Sequence, residues 1–418
     1  MDGLAQLGKN TIWLLAARLG VPAVLALFSV ILARRLGSTG FGEFAFLTAV
    51  IFLGNSLTTF GTDMLLIREI ASRDDFSHLP AALVLQFVLS GLFIAGVFFA
   101  APFFPVQNPE AVQTYGLTLL PLSFFTVCTT ALRGRQRMGA YALLNLATVF
   151  LQTVAAWLFI KPESNILSVA VLLLIVQVIT AFLAGITCII EIPGFGLGWK
   201  ISWSGMITLA RASSLLALLG ALGILYQRLA VYMLPLYCGM LATGLYSASG
   251  RIVEATKSAH LAAFSALYPA MAKARAGSPQ NTQLVKSFRL VWRVLLCGSV
   301  IAAAILSRSA AALVDLLYGA EFSGSVPALK ILAWIIVPYT INPYLTLALL
   351  AGREDLLVMV ALLVSLAILA ALNMILIQTF GVRGACLAAV LAKTSRIVVY
   401  LFPRHCSRNP IKTLFTDI

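Results

Sequence analysis

Residues 166–190 read ILSVAVLLLIVQVITAFLAGITCII, without a single Asp, Glu, Lys or Arg. A helix needs about 20 apolar residues to cross a hydrocarbon layer about 30 Å thick, at ~1.5 Å of rise per residue. Turn and charge signals bound this segment, Lys161-Pro162-Glu163 before it and Ile192-Pro193-Gly194 after it. The same pattern recurs along the chain. Twelve apolar stretches are read, at residues 10–33, 41–64, 79–103, 112–132, 141–160, 166–190, 208–233, 240–268, 288–307, 326–350, 356–378 and 383–402. The first lacks the short apolar core and small-residue site of a cleaved signal peptide.

Composition agrees. Of 418 residues, 61% are apolar and 11% charged, with a mean hydropathy of +0.98. Globular chains run nearer to about 45–50% and about 25%. These figures exclude a soluble enzyme, a secreted disulfide scaffold and a disordered tail. The six Cys stand apart with no CxxC pair and read as buried thiols. No P-loop, nucleophile elbow or His/Cys metal set is present, so no enzyme activity, metal or cofactor is expected.

The net charge of +14 has a topological explanation before a nucleic-acid one. With the N-terminus inside, the inner segments collect groups such as Arg133, Arg135, Arg137, Lys273 and Arg275, while the outer segments hold Arg34, Arg35, Lys161, Arg308 and Arg383. The bias is about threefold and places both termini in the cytoplasm. The stretch 308–325 reads as the longest outer loop.

The expected fold is all-α and integral to the membrane, with about twelve spans in two parallel six-helix lobes. Residues 1–204 form the first lobe with its linker, and residues 205–418 form the second. Two short echoes support the halves. Leu36-Gly37 with Gly42-Glu43-Phe44-Ala45 matches Leu236-Tyr237 with Gly244-Leu245-Tyr246-Ser247, and Leu132-Arg133-Gly134-Arg135 matches Leu350-Ala351-Gly352-Arg353.

Some basic residues lie within the spans, where topology does not explain them. A cation at the bilayer centre costs about 2.5–3.5 kcal/mol on insertion scales. Arg251, Lys393 and Arg396 lie deepest, with Arg18, Arg228 and Lys257 intermediate. Snorkelling, carbonyl capping or pairing with Glu254 would account for them without a ligand. The functional reading is a cationic cavity between the lobes that binds an anionic cargo. Glu254, Asp63 and His260 are the titratable candidates for ion coupling.

At these positions the chain looks familiar. Ala33-Arg34-Arg35-Leu36-Gly37 with Phe41-Gly42-Glu43-Phe44, then Arg68-Glu69-Ile70-Ala71, Tyr246 with Arg251, Leu316-Leu317-Tyr318-Gly319 with Phe322, and Phe380-Gly381 with Gly384-Ala385 carry the likeness. The sequence resembles Wzx-type polysaccharide flippases of the multidrug/oligosaccharidyl-lipid/polysaccharide exporter superfamily. The resemblance implies two lobes around a V-shaped cavity and alternating access. It implies export of undecaprenyl-pyrophosphate-linked oligosaccharide across the bacterial inner membrane, for O-antigen lipopolysaccharide, capsule or exopolysaccharide. Implied partners are membrane lipid, a polysaccharide polymerase and a chain-length regulator, without nucleic acid; a proton or sodium gradient is the implied drive. A cation-coupled multidrug exporter of the same superfamily is the first alternative, and a membrane polymerase or transferase acting on lipid-linked sugars the second. Peptidoglycan-precursor flippases of the superfamily usually carry two further spans, which are not read here.

Overall fold

Inside hydrocarbon, backbone N–H and C=O groups find no water, so a spanning segment must satisfy them within itself. The chain does so with helices. A computed structural model describes residues 2–162, 164–193, 195, 196, 199, 202–276, 282–351 and 354–401, and these hold no β-strand. They divide into two compact units, Met1–Arg228 and Leu229–Ile418.

The first unit contains α1 (Asp2–Thr59), α2 (Thr62–Arg73), α3 (Leu79–Ala100), α4 (Pro109–Gly116), α5 (Leu119–Gly134), α6 (Met138–Phe159), α7 (Ile166–Glu191) and the start of α8 (Trp203–Ala276). α1 packs on α6, and α5 packs on α2, α3 and α7. Leu66, Ile70, Leu79, Ala82, Cys128, Ala131, Leu132, Ala184 and Cys188 form its main buried cluster. Small residues let the helices approach closely, which replaces the hydrophobic drive that lipid does not supply. Buried hydroxyls stay inside this arrangement by hydrogen bonding, as Ser90 does with Ser123 at 2.9 Å and Gln86 with Thr62 at 2.9 Å.

The second unit holds the rest of α8, then α9 (Thr282–Arg308), α10 (Ala310–Tyr318), α11 (Ser325–Leu332), α12 (Ile336–Ala351), α13 (Asp355–Phe380) and α14 (Val382–Leu401). α13 and α14 form a close antiparallel pair, possible because a methyl group at Gly384 would collide with the Leu376 carbonyl. α14 also packs on α11 and α12.

Among the described residues, eight helices are long and apolar enough to cross a membrane, or nine with the bent pair Arg293–Arg308 and Ala310–Tyr318 counted as one span. All twelve apolar stretches nevertheless fall on helix. α1 and α8 each carry two of them, and α14 carries too many charges (Arg383, Lys393, Arg396) for a purely apolar criterion. The expected outer loop at 308–325 is instead mostly helical, since α10 follows α9 across a 66° bend at Ser309 and a 3-10 turn, Ala320–Phe322, follows α10. Three hydrogen-bond donors anchor this region to α8: Tyr318 to the Ala248 carbonyl, Ser325 to the Leu245 carbonyl and Ser249 to the Ser325 carbonyl. Polar groups that looked loop-like in sequence therefore satisfy backbone oxygens.

Arg35, which ran against the charge rule, donates to the Ile160 carbonyl at 2.7 Å. That carbonyl ends α6, where a cation complements the helix dipole.

The two longest helices break at matching points. Gly37 has φ 70° and ψ −179°, and Gly239 has φ 77° and ψ 177°. Only glycine adopts this region cheaply; other residues lose about 1–3 kcal/mol there. The spacing from Gly37 to Gly239 also relates Gly42 to Gly244 and Phe44 to Tyr246. The echo is therefore a structural one, two residues out of the sequence register read from Leu36 and Leu236.

Gly239→Ala is expected to destabilise the protein by about 1–3 kcal/mol through backbone strain alone, because nothing lies within 4 Å of the added methyl. Gly250→Ala, equally open but helical, should be neutral or stabilising. Thermal unfolding of both variants in one detergent distinguishes the two effects.

Candidate functional site

α8 places Arg251, Glu254 and Lys257 three residues apart, on one helical face. The helix is held there by the hydrogen bonds to α10 and α11 described above. Arg251 Nη1 lies 3.3 Å from Glu254 Oε2, with the Arg side chain 17% exposed and the Glu side chain 42%. This is the pairing that the i,i+3 spacing allowed. It leaves Lys257, Lys393 and Arg396 to be accommodated by other means.

The other means are aromatic. Lys257 Nζ sits 5.3 Å from the centre of the Tyr339 ring, and Lys393 Nζ sits 5.6 Å from the same centre. Tyr339 comes from α12 and Lys393 from α14. Asn342, one turn after Tyr339, donates to the Lys393 carbonyl at 3.0 Å and so fixes the register of the two helices. Arg396, one turn after Lys393, places its guanidinium 5.4 Å from the Tyr400 ring centre and donates from Nε to the Tyr400 hydroxyl at 2.9 Å. That hydroxyl also meets Thr346 of α12 at 3.0 Å, and Tyr400 is fully buried. A ring face attracts a cation by its quadrupole, by ~0.5–2 kcal/mol with desolvation, and carries no charge of its own. Lys257, Lys393 and Arg396 thus each rest against a tyrosine ring.

Lys393 and Arg396, three residues apart on α14, engage different tyrosines. They remain close enough, with Lys257, to act on one another electrostatically. The second unit therefore brings Lys257 of α8 and Lys393 of α14 to Tyr339 of α12, and Arg396 to Tyr400, with Arg251 and Glu254 paired on α8. Arg18 lies exposed on α1. Arg228 stacks over Phe52 of α1 at 5.1 Å, within the first unit. Asp63 is half-buried at the start of α2. His260 lies on α8, but its side chain is outside the described residues.

Sequence reasoning missed Tyr339, Tyr400 and Asn342. The available signal was a tyrosine and an amide inside apolar stretches, with Tyr400 four residues from Arg396. It also missed Glu69, Asp75 and His78, whose ligand-type atoms all lie within 4.8 Å of one another. His78 Nδ1 is 3.0 Å from Glu69 Oε1. Asp75 accepts from the Ser77 backbone N–H at 2.8 Å. That bond, helped by the Ser77 hydroxyl, holds the Asp75 carboxyl below the usual carboxylate range. The donors of this group suit a divalent cation.

Among the described residues the chain is all-helical, with cations held on aromatic faces. Its fold is found in solved structures. The chain is similar to the lipid II flippase MurJ in an inward closed conformation, at 12% identity and TM-score 0.75, covering 98% of this chain and 92% of that one. It is also similar to an inward-facing multidrug-resistance MATE transporter of the MOP superfamily, at 15% identity and TM-score 0.67, covering 93% and 97%. A MOP-superfamily transporter from Pyrococcus furiosus, described as having a binding pocket of reversed polarity, matches at 15% identity and TM-score 0.59, covering 95% of each chain. No curated protein sequence matches. The polysaccharide biosynthesis protein family model matches residues 7–275, and the chain belongs to that family.

Tyr339→Leu is expected to destabilise the second unit by about 1–3 kcal/mol, since two ammonium groups lose one ring. Tyr339→Phe keeps the ring and should lie within about 0.5 kcal/mol of the parent. Thermal unfolding in detergent, at low and high salt, measures both.

Proposed function

We propose that this protein is a flippase that carries undecaprenyl-pyrophosphate-linked oligosaccharide repeat units across the bacterial inner membrane by alternating access. The observation that carries the reading is the clustering of Lys257 and Lys393 at Tyr339 and of Arg396 at Tyr400, with Arg251 beside Glu254. A pyrophosphate is an anionic cargo that suits such a cluster. Membership of the polysaccharide biosynthesis family supports a glycan cargo. Wzx-type export of O-antigen, capsule or exopolysaccharide units is the form that fits both. Arg251, Lys257, Lys393 and Arg396 take the phosphates, with Arg18 and Arg228 as further cationic contacts along the path. The termini lie in the cytoplasm, and a polymerase with a chain-length regulator uses the delivered units. Glu254, Asp63 and His260 are the groups to carry a coupling ion.

A cation-coupled drug exporter is the second reading, favoured by the similarity to MATE transporters. Its cargo would be cationic, and the four basic groups of the second unit would repel it.

Deleting the gene should abolish the surface glycan and leave lipid-linked repeat units inside the cell. Arg251→Ala or Lys393→Ala should restore at least tenfold less surface glycan than the parent gene at equal membrane abundance, because a charge-assisted hydrogen bond to phosphate contributes about 1.5–3 kcal/mol. Normal glycan in the deletion strain, with lost drug resistance, would establish the exporter instead.

A further inference from the structure

The loop between α2 and α3, the end of α7 and the start of α8 enclose a cavity of about 580 Å³ in the first unit. That is within the usual ~300–1,000 Å³ of small-molecule sites. The flippase reading makes no use of it. Its walls divide by chemistry. Phe76, Phe195 and Trp199 supply flat apolar faces, and the Phe195 and Trp199 rings form an edge-to-face pair 5.3 Å apart. Ser77, His78, Ser202, Ser204 and Thr208 supply polar atoms.

The polar atoms are chiefly acceptors. Thr208 donates its hydroxyl to the Ser204 carbonyl at 2.9 Å, which leaves its oxygen lone pairs open. Ser202 and Ser204 share one hydrogen bond at 2.8 Å, so one of their two hydroxyl protons is already committed. His78 turns Nδ1 to the Glu69 carboxylate, and Nε2 is the atom left for a ligand. No Lys or Arg is among the described lining residues. The Arg135 guanidinium is tied to Asp74 at 2.7 Å and lies 5.0 Å from the Phe76 ring centre. The carboxylates of Glu69 and Asp75 lie close to His78. A ligand with many hydroxyl donors and an apolar ring face would meet acceptors and aromatic planes together.

We propose that this cavity binds a neutral sugar ring, stacked on Trp199 and Phe195 and hydrogen-bonded through its hydroxyls to His78, Ser77 and Thr208. The division of labour is chemical. Phosphate belongs with the cations of the second unit, and uncharged sugar with this acceptor-rich pocket. The identification of the sugar as part of the transported glycan rests on the flippase reading; the pocket's preference for a neutral sugar does not.

Saturation-transfer NMR on the purified full chain in nanodiscs tests it, with glucose, galactose and N-acetylglucosamine as probes and inorganic pyrophosphate and Zn2+ as competitors. At least one sugar should show transfer to its ring protons. Thr208→Val and His78→Gln should each weaken that signal at least fivefold, and Trp199→Ala should remove it. Thr208→Val is nearly isosteric, so it keeps the test valid if Trp199→Ala fails to fold. Pyrophosphate should not compete. Absence of transfer for all three sugars, or displacement by pyrophosphate, overturns the proposal. Zn2+ binding that requires His78 with no sugar signal also overturns it, in favour of a cation site at Glu69, Asp75 and His78. A sugar signal in a protein whose deletion leaves surface glycan intact upholds the pocket and overturns the flippase reading; the reverse pair of results upholds the flippase and overturns the pocket.

Discussion

A positive charge within hydrocarbon must be solvated by something, and in the second unit that something is the π-face of a tyrosine. Tyr339 serves Lys257 and Lys393, and Tyr400 serves Arg396. A ring face attracts a cation by its quadrupole and brings no charge of its own. The arrangement of α8, α12 and α14 follows from this need. Asn342 and Thr346 on α12 hold Lys393 and Tyr400 of α14 in register, and the hydrogen bonds of Tyr318, Ser249 and Ser325 hold α8.

The first unit uses rings as well, Phe52 for Arg228 and Phe76 for Arg135, and adds ion pairs at its helix ends. Arg135 pairs with Asp74 and Arg137 with Glu191, and His78 meets Glu69. Each lies at a helix end or in a turn, where salt and water screen the pair and the net contribution is small. These groups fasten α2, α3, α5 and α7 at one end. The two units share glycine breaks at matching points, Gly37 and Gly239.

The spans were legible because hydrocarbon imposes a length and a composition on any helix that crosses it, and residues 166–190 display both. Helix continuity was not. A single glycine at positive φ breaks each of α1 and α8, and hydropathy does not register backbone angles. The stretch 308–325 looked like a loop because Gly319, Ser323 and Gly324 are loop residues in water; next to α8, Tyr318 and Ser325 donate to its carbonyls and Ser325 accepts from Ser249. The deep cations were visible by their cost alone. Their partners were not, because an aromatic residue in an apolar span is ordinary, and only the fold shows that Tyr339 lies beneath two lysines drawn from helices more than a hundred residues apart. The Glu69, Asp75 and His78 group was equally hidden, its members split across a turn with no ligand spacing.

The central claim is that the cations around Tyr339 and Tyr400 face water and take phosphate. Cysteine accessibility tests it most directly. Arg251, Lys257, Lys393 and Arg396 would be replaced by Cys one at a time in a chain lacking its native cysteines, with the exposed residue Val398 of α14 as the lipid-side control. The account predicts that a charged, membrane-impermeant thiol reagent modifies the four positions, that undecaprenyl pyrophosphate protects them, and that position 398 stays unreactive. Four unreactive positions, or modification that undecaprenyl pyrophosphate leaves unchanged, would contradict it.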